Sequence, residues 1–162
     1  MGFYFVAMCK REMADNRVLG PLLKAHGTIF VDRSAKDQSE TLEQARAALR
    51  GGKSIVIAPE GTRSATGELG SFKHGAFYLA RKMGVPLVPV VLHNVGDAMP
   101  KGKVLLRPAT INVTVMPPIA PEQIRSIRRS AQQLQEDYAR VLDAPWGAVE
   151  PLAAASQEPA AA

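Results

Sequence analysis

Ser54-Ile55-Val56-Ile57-Ala58-Pro59-Glu60-Gly61-Thr62-Arg63-Ser64 is the stretch that decides the reading of the fold. Residues 54–58 form an apolar run of strand length, too short for a helix of its own, which predicts a central strand covered on both faces. Pro59 fixes the chain as it leaves the strand, and Gly61 permits a tight turn or a close ligand approach. Arg63 carries a planar fork of donors suited to a phosphate or carboxylate, and Thr62 and Ser64 add hydroxyls. Loops at the carboxyl end of such strands are where α/β sheets usually bind ligands. The same residues would equally make a surface turn with an Arg–Glu ion pair, so local chemistry leaves both readings open.

Outward from this stretch, helical and extended patterns alternate. Upstream, Leu42, Ala45 and Leu49 recur at helical spacing, stopped by Gly51-Gly52, and Asp37 with Glu40 resembles a capping box. Before them come an extended Thr28 to Val31, a short helix over Val18 to Ala25 and a buried strand over Phe3 to Met8. Downstream, a polar loop to Lys73 leads to a helix over Ala76 to Met83 closed by Gly84, then a buried strand over Val85 to Leu92. Ile111, Val113 and Val115 alternate with Asn112, Thr114 and Met116 as a half-exposed strand. From Pro121 a long amphipathic helix runs to about Leu142, through Ile124, Ile127, Ala131, Leu134, Tyr138 and Val141. This alternation predicts an α/β domain over 1–143, its mixed, largely parallel sheet covered by helices, followed by a disordered Ala/Pro/Glu-rich tail over 144–162.

Composition narrows the function classes. The chain has 162 residues, 46% of them apolar and 22% charged, the balance of an average globular domain. One cysteine excludes an internal disulfide and a structural zinc site built on several thiolates. The net charge of +5 resides between Met99 and Arg129, where Lys101, Lys103, Arg107, Arg125, Arg128 and Arg129 face the single acid Glu122. Such a segment suits anionic headgroups or an acidic partner, whereas an aromatic content of 6% argues against nucleic acid as a partner. No apolar run approaches the ~20 residues of a membrane-spanning helix, so any membrane contact is expected to be peripheral. Gly52-Lys53-Ser54 is not a P-loop, since Ala47 stands where the first glycine belongs and the order is helix into strand.

Three blocks together carry a family resemblance: Gly27-Thr28-Ile29-Phe30-Val31-Asp32-Arg33, Ala58-Pro59-Glu60-Gly61-Thr62-Arg63-Ser64, and Val85-Pro86-Leu87-Val88-Pro89-Val90. In order and approximate spacing they resemble the second, third and fourth motifs of the glycerolipid acyltransferases, the 1-acylglycerol-3-phosphate acyltransferases. The similarity runs from roughly Phe5 to Pro118 and includes Phe72-Lys73-His74-Gly75-Ala76-Phe77. The resemblance implies phospholipid biosynthesis: transfer of a fatty acyl group from acyl-CoA or acyl carrier protein to the hydroxyl of a lysophospholipid, without cofactor or metal. It implies that Arg33 and Arg63 hold the acceptor's phosphate, with Lys73 as a further cation. Gly27, Glu60, Gly61, Thr62 and Ser64 would shape the acceptor site. It further implies peripheral association of the full-length protein with the cytoplasmic face of the membrane.

The departure from the pattern concerns the catalytic dyad. Family members begin with His-x4-Asp, in which His is the general base on the acceptor hydroxyl and Asp supports the imidazolium. Here the residues five positions after His26, His74 and His93 are Val31, Leu79 and Ala98. No catalytic residue is therefore assigned, and the chain reads as an N-terminally truncated acyltransferase domain, inactive in isolation. The alternative is a catalytically dead module that binds anionic lipid or phosphate. His26 and His74 read as exposed helix-end residues and Cys9 as a small strand-end hydrophobe.

Overall fold

Three parallel strands organise the first part of the chain. The computed structural model describes residues 4–32, 34–35, 37–61, 68–98 and 107–144, and the chain divides into two compact units, Met1–Thr62 and Arg63–Ala162.

In the first unit β1 (Phe5–Lys10) is followed by a 3-10 turn (Arg11–Met13), α1 (Leu19–Ala25), β2 (Ile29–Val31), α2 (Ser39–Arg50) and β3 (Ser54–Ile57). The strand order is β2-β1-β3, with Lys10 opposite Val31 and Met8 opposite Ile57. β1 is thus the central strand. The expectation that Ser54 to Ala58 would be covered on both faces is corrected: β3 pairs only with β1 among the described residues, and its residues alternate in exposure, Val56 being 52% exposed. α2 lies on β2 and β3, with Ala45 fully buried beneath it as the helical spacing requires. Its start differs from a capping box. The Asp37 carboxylate accepts the N–H and hydroxyl of Ser39, and the Glu40 carboxylate accepts from Gln44 one turn on.

The second unit contains α3 (Gly75–Met83), β4 (Val90–His93), the short α4 (Val95–Ala98), β5 (Asn112–Val115), a 3-10 turn (Pro121–Gln123) and α5 (Ile127–Asp143). Phe72, Phe77, Ala80, Ile124, Ala131 and Leu134 form its core. α5 therefore spends its apolar stripe on α3 and β4. The helix begins later than its periodicity suggests. The Gln123 side chain accepts the Ala120 N–H in a separate turn, and the Ser126 hydroxyl caps Arg129.

One strand reading in this unit also changes. Of Val85 to Leu92, only the end joins a ladder, because Pro86 and Pro89 lack an N–H; Leu87 makes an isolated bridge to Ile119 and Pro89 accepts from Met116. β4 pairs antiparallel with β5, and the pair turns Val91 and His93 inward, where His93 Nε2 lies 3.2 Å from Thr114 Oγ1. The aliphatic alternation of residues 111–115 consequently faces outward. Val88, Val90, Leu92, Ile111, Val113 and Val115 are each 42–50% exposed. Phe3 and nearly all of the expected tail lie outside the described residues.

Gly20 provides one test of this packing. It is buried in α1, and a Cβ there would stand 2.4 Å from the Ala14 carbonyl oxygen. Gly20→Ala is expected to cost about 1–3 kcal/mol, whereas Gly75→Ala, which meets nothing within 4 Å, is expected to be neutral or to gain up to about 1 kcal/mol. Thermal melting separates the two, and equal Tm values would contradict the close approach. Leu134→Ala is expected to lose about 2–5 kcal/mol by opening a cavity under α5; an unchanged Tm would show that the helix is not docked on the core.

Candidate functional site

Because β1, β2 and β3 are parallel, their carboxyl ends meet at one edge of the sheet. β2 and β3 flank β1, so the two loops that leave them start roughly 10 Å apart, two strand spacings. The central strand ends between them at Lys10, which is exposed. Lys10 pairs with the last residue of β2, but β3 has already ended opposite Met8. Its backbone thus extends two residues past the last β1–β3 pair, beside the root of the loop after β3.

That loop begins as a tight turn. The Gly61 N–H donates to the Ala58 carbonyl at 3.0 Å, Pro59 sets the turn, and Gly61 has φ +69°, which a side chain would strain. Glu60 and Gly61 are half-buried. Thr62, Arg63 and Ser64 continue the chain from this turn and lie outside the described residues.

The loop after β2 is braced on both sides of Arg33, which is itself outside the described residues. Asp32 Oδ1 accepts the Ser34 hydroxyl at 2.6 Å and the Ser34 N–H at 2.9 Å. These bonds, the hydroxyl's first, hold the Asp32 carboxyl below the usual carboxylate range, with a smaller contribution from the charge of Arg11. Gln38 Nε2 donates to the carbonyls of Asp32 and Ala35 at 2.7 and 2.9 Å. Asp32 and Gln38 were not singled out from the sequence, although Asp-x-Ser is a recognisable side-chain turn. Lys10 was missed for another reason: its place depends on β1 being central.

A cleft of about 390 Å³ lies beside this loop. Asp15, Asp32, Asp37 and Glu40 outnumber Arg11 and Lys24 in its wall, which disfavours an anion there. Lys10, at the end of β1, is not part of that wall.

The histidines lie elsewhere. His26 caps the end of α1, exposed, with its ring 5.3 Å from that of Phe5 in an edge-to-face contact. Phe5 opens β1, so His26 is at the amino edge, roughly 16 Å of strand from Lys10. Gly27, with φ +77°, precedes β2 at that same amino edge. In the second unit His74 is exposed at the start of α3, His93 is buried, and Lys73 is exposed between buried Phe72 and the helix. Cys9 is a free, half-buried strand residue.

Known proteins resemble this chain in sequence and fold. The family model described as "Acyltransferase" matches residues 3–93, more than half of the chain. The chain is similar to a chloroplastic 1-acyl-sn-glycerol-3-phosphate acyltransferase of Brassica napus, 36% identical over 104 residues that make up 63% of this chain and 30% of that one. It is 32% identical to a 1-acyl-sn-glycerol-3-phosphate acyltransferase of Limnanthes alba over 143 residues, 86% of this chain and 51% of the relative. The crystal structure of the 1-acyl-sn-glycerophosphate acyltransferase PlsC from Thermotoga maritima superposes with a TM-score of 0.65 at 26% identity, covering 88% of this chain and 58% of that chain. The chain thus spans between about a third and a half of the length of these curated relatives. By the reach of the family model, by these relatives and by its parallel sheet with two motif loops at one edge, the chain belongs to the acyltransferase family, among its glycerolipid members.

Proposed function

We propose that this chain carries the acceptor-holding part of an acyl transfer to a lysophospholipid such as 1-acylglycerol-3-phosphate. The observation that supports this most is the shared carboxyl edge from which the Arg33 and Arg63 loops both depart, with Lys10 between their roots. Two guanidinium forks and an ammonium suit a phosphate monoester, which accepts several charge-assisted hydrogen bonds. In this reading Arg33 and Arg63 hold the phosphate, Lys73 adds a cation, and Gly27, Glu60, Gly61, Thr62 and Ser64 shape the acceptor site. Residues 1–143 act as one domain, with 144–162 as a tail.

In the transfer itself, the acceptor hydroxyl oxygen attacks the thioester carbonyl of acyl-CoA or acyl carrier protein. The C–S bond breaks, the new ester forms, and the hydroxyl proton leaves with the thiol. Balanced in this way, the step calls on no cofactor. It does call on a base at the hydroxyl, and no histidine of this chain stands in His-x4-Asp. General-base catalysis is worth about 10²–10⁴ in rate, so the isolated chain binds acceptor with little or no turnover. The placement of His26 at the amino edge favours that second reading, a lipid-phosphate binder without transfer, for the chain alone. No helix among the described residues is long and apolar enough to cross a membrane; contact with the cytoplasmic membrane face is peripheral in this proposal.

Titration with 1-acylglycerol-3-phosphate tests the reading. Binding is expected to weaken as salt is raised and to fall roughly ten- to hundredfold in Arg63→Ala, the range for losing hydrogen bonds to a charged group. Salt-independent binding unaffected by that substitution would overturn it. With labelled acyl-CoA, the isolated chain is expected to form no diacyl product above background. Turnover would show that another group serves as base, and its loss in His26→Ala or His74→Ala would identify which.

A further inference from the structure

Phe72 is held from two directions. Its ring is buried and meets the ring of Tyr138 edge to face at 5.4 Å, and its N–H donates to Gln135 Oε1 at 3.0 Å. A backbone N–H beside a buried side chain needs an acceptor. Gln135 supplies it from α5, 63 positions away in sequence. Its neighbour Leu134 is anchored in the core, so the amide is presented from a fixed helix turn. The residue after Phe72 is the exposed Lys73, and α3 starts two positions beyond it. Lys73 therefore leaves the backbone at a point that α5 pins. α5, at Ile127–Asp143, lies outside the residues 3–93 that the family model matches.

We propose that Gln135 is a positioning residue: its bond to the Phe72 N–H fixes the backbone root of Lys73, so that α5 tunes how tightly an acceptor phosphate is held. This rests on the reading of Lys73 as a phosphate contact. A lysine brings a flexible four-carbon stem to any contact, and a fixed root reduces the ordering cost of binding. Removing the acceptor while keeping the helix should loosen residues 72–74 and leave the rest of the unit folded.

The test uses the full chain and a soluble probe, 1-hexanoylglycerol-3-phosphate. Calorimetric titration is combined with amide hydrogen exchange at residues 72–75. Gln135→Leu and the isosteric Gln135→Met are expected to accelerate exchange at the Phe72 amide and to weaken binding about three- to tenfold, the scale of one hydrogen bond. Gln135→Glu keeps an acceptor and should restore both. With Lys73→Gln already in place, Gln135→Met should add no further loss. Wild-type affinity in Gln135→Met, or an equal loss with and without Lys73, would overturn the positioning role while leaving the lysophospholipid reading intact. A wild-type chain that binds no probe would instead sink that reading, and the positioning role with it.

Discussion

Parallel pairing of β1 with both β2 and β3 is the constraint on which the candidate site depends. A strand that entered antiparallel would send one of the two motif loops to the opposite edge, some 10–16 Å away along the sheet. The register then decides what stands between the loops. Because β1 outlasts β3 by two paired positions, its last residue, Lys10, comes to the edge beside them. The turn at Ala58–Gly61 and the Asp32–Ser34 and Gln38 bonds stiffen the departing backbone on either side. In the proposed site, fixed loop roots would lower the ordering cost of bringing cations from different strands to one small dianion.

The second unit follows a different logic. Its core is a cluster of aromatic and aliphatic side chains contributed by the segment before α3, by α3 itself, by the approach to α5 and by α5. Hydrophobic burial supplies most of its cohesion. A polar clamp, Gln135 to Phe72, joins α5 to the segment before α3 and satisfies a backbone donor there. The two-stranded β4–β5 ladder presents Val91 and the His93–Thr114 pair inward and a row of aliphatic side chains outward. A polar pair on the inner face is tolerable because its members satisfy each other.

Much of this was legible in the sequence. Period and punctuation place α2 and α3 nearly where they lie, since Gly51-Gly52 and Gly84 stop them, and the turn at Pro59-Glu60-Gly61 is the one that its residues demand. Other features depend on tertiary neighbours. Alternation over 111–116 distinguishes two faces but not which one is buried, and the apolar one proved to be outward. The two prolines of Val85 to Leu92 were visible, but their effect on pairing required knowing that Ile119 and β5 lie alongside. The place of Lys10 needed the strand order, and the need for Gly20 needed the position of the Ala14 carbonyl.

The central claim, that an acceptor phosphate is held at the carboxyl edge of the β2-β1-β3 sheet, is tested most directly by mapping amide chemical shifts during titration with 1-hexanoylglycerol-3-phosphate. The account predicts saturable shifts at Lys10, at Asp32 to Ser34 and at Gly61 to Ser64, with His26 and Phe5 at the other edge unmoved. Shifts confined to the amino edge or to the outward face of β4–β5 would contradict it.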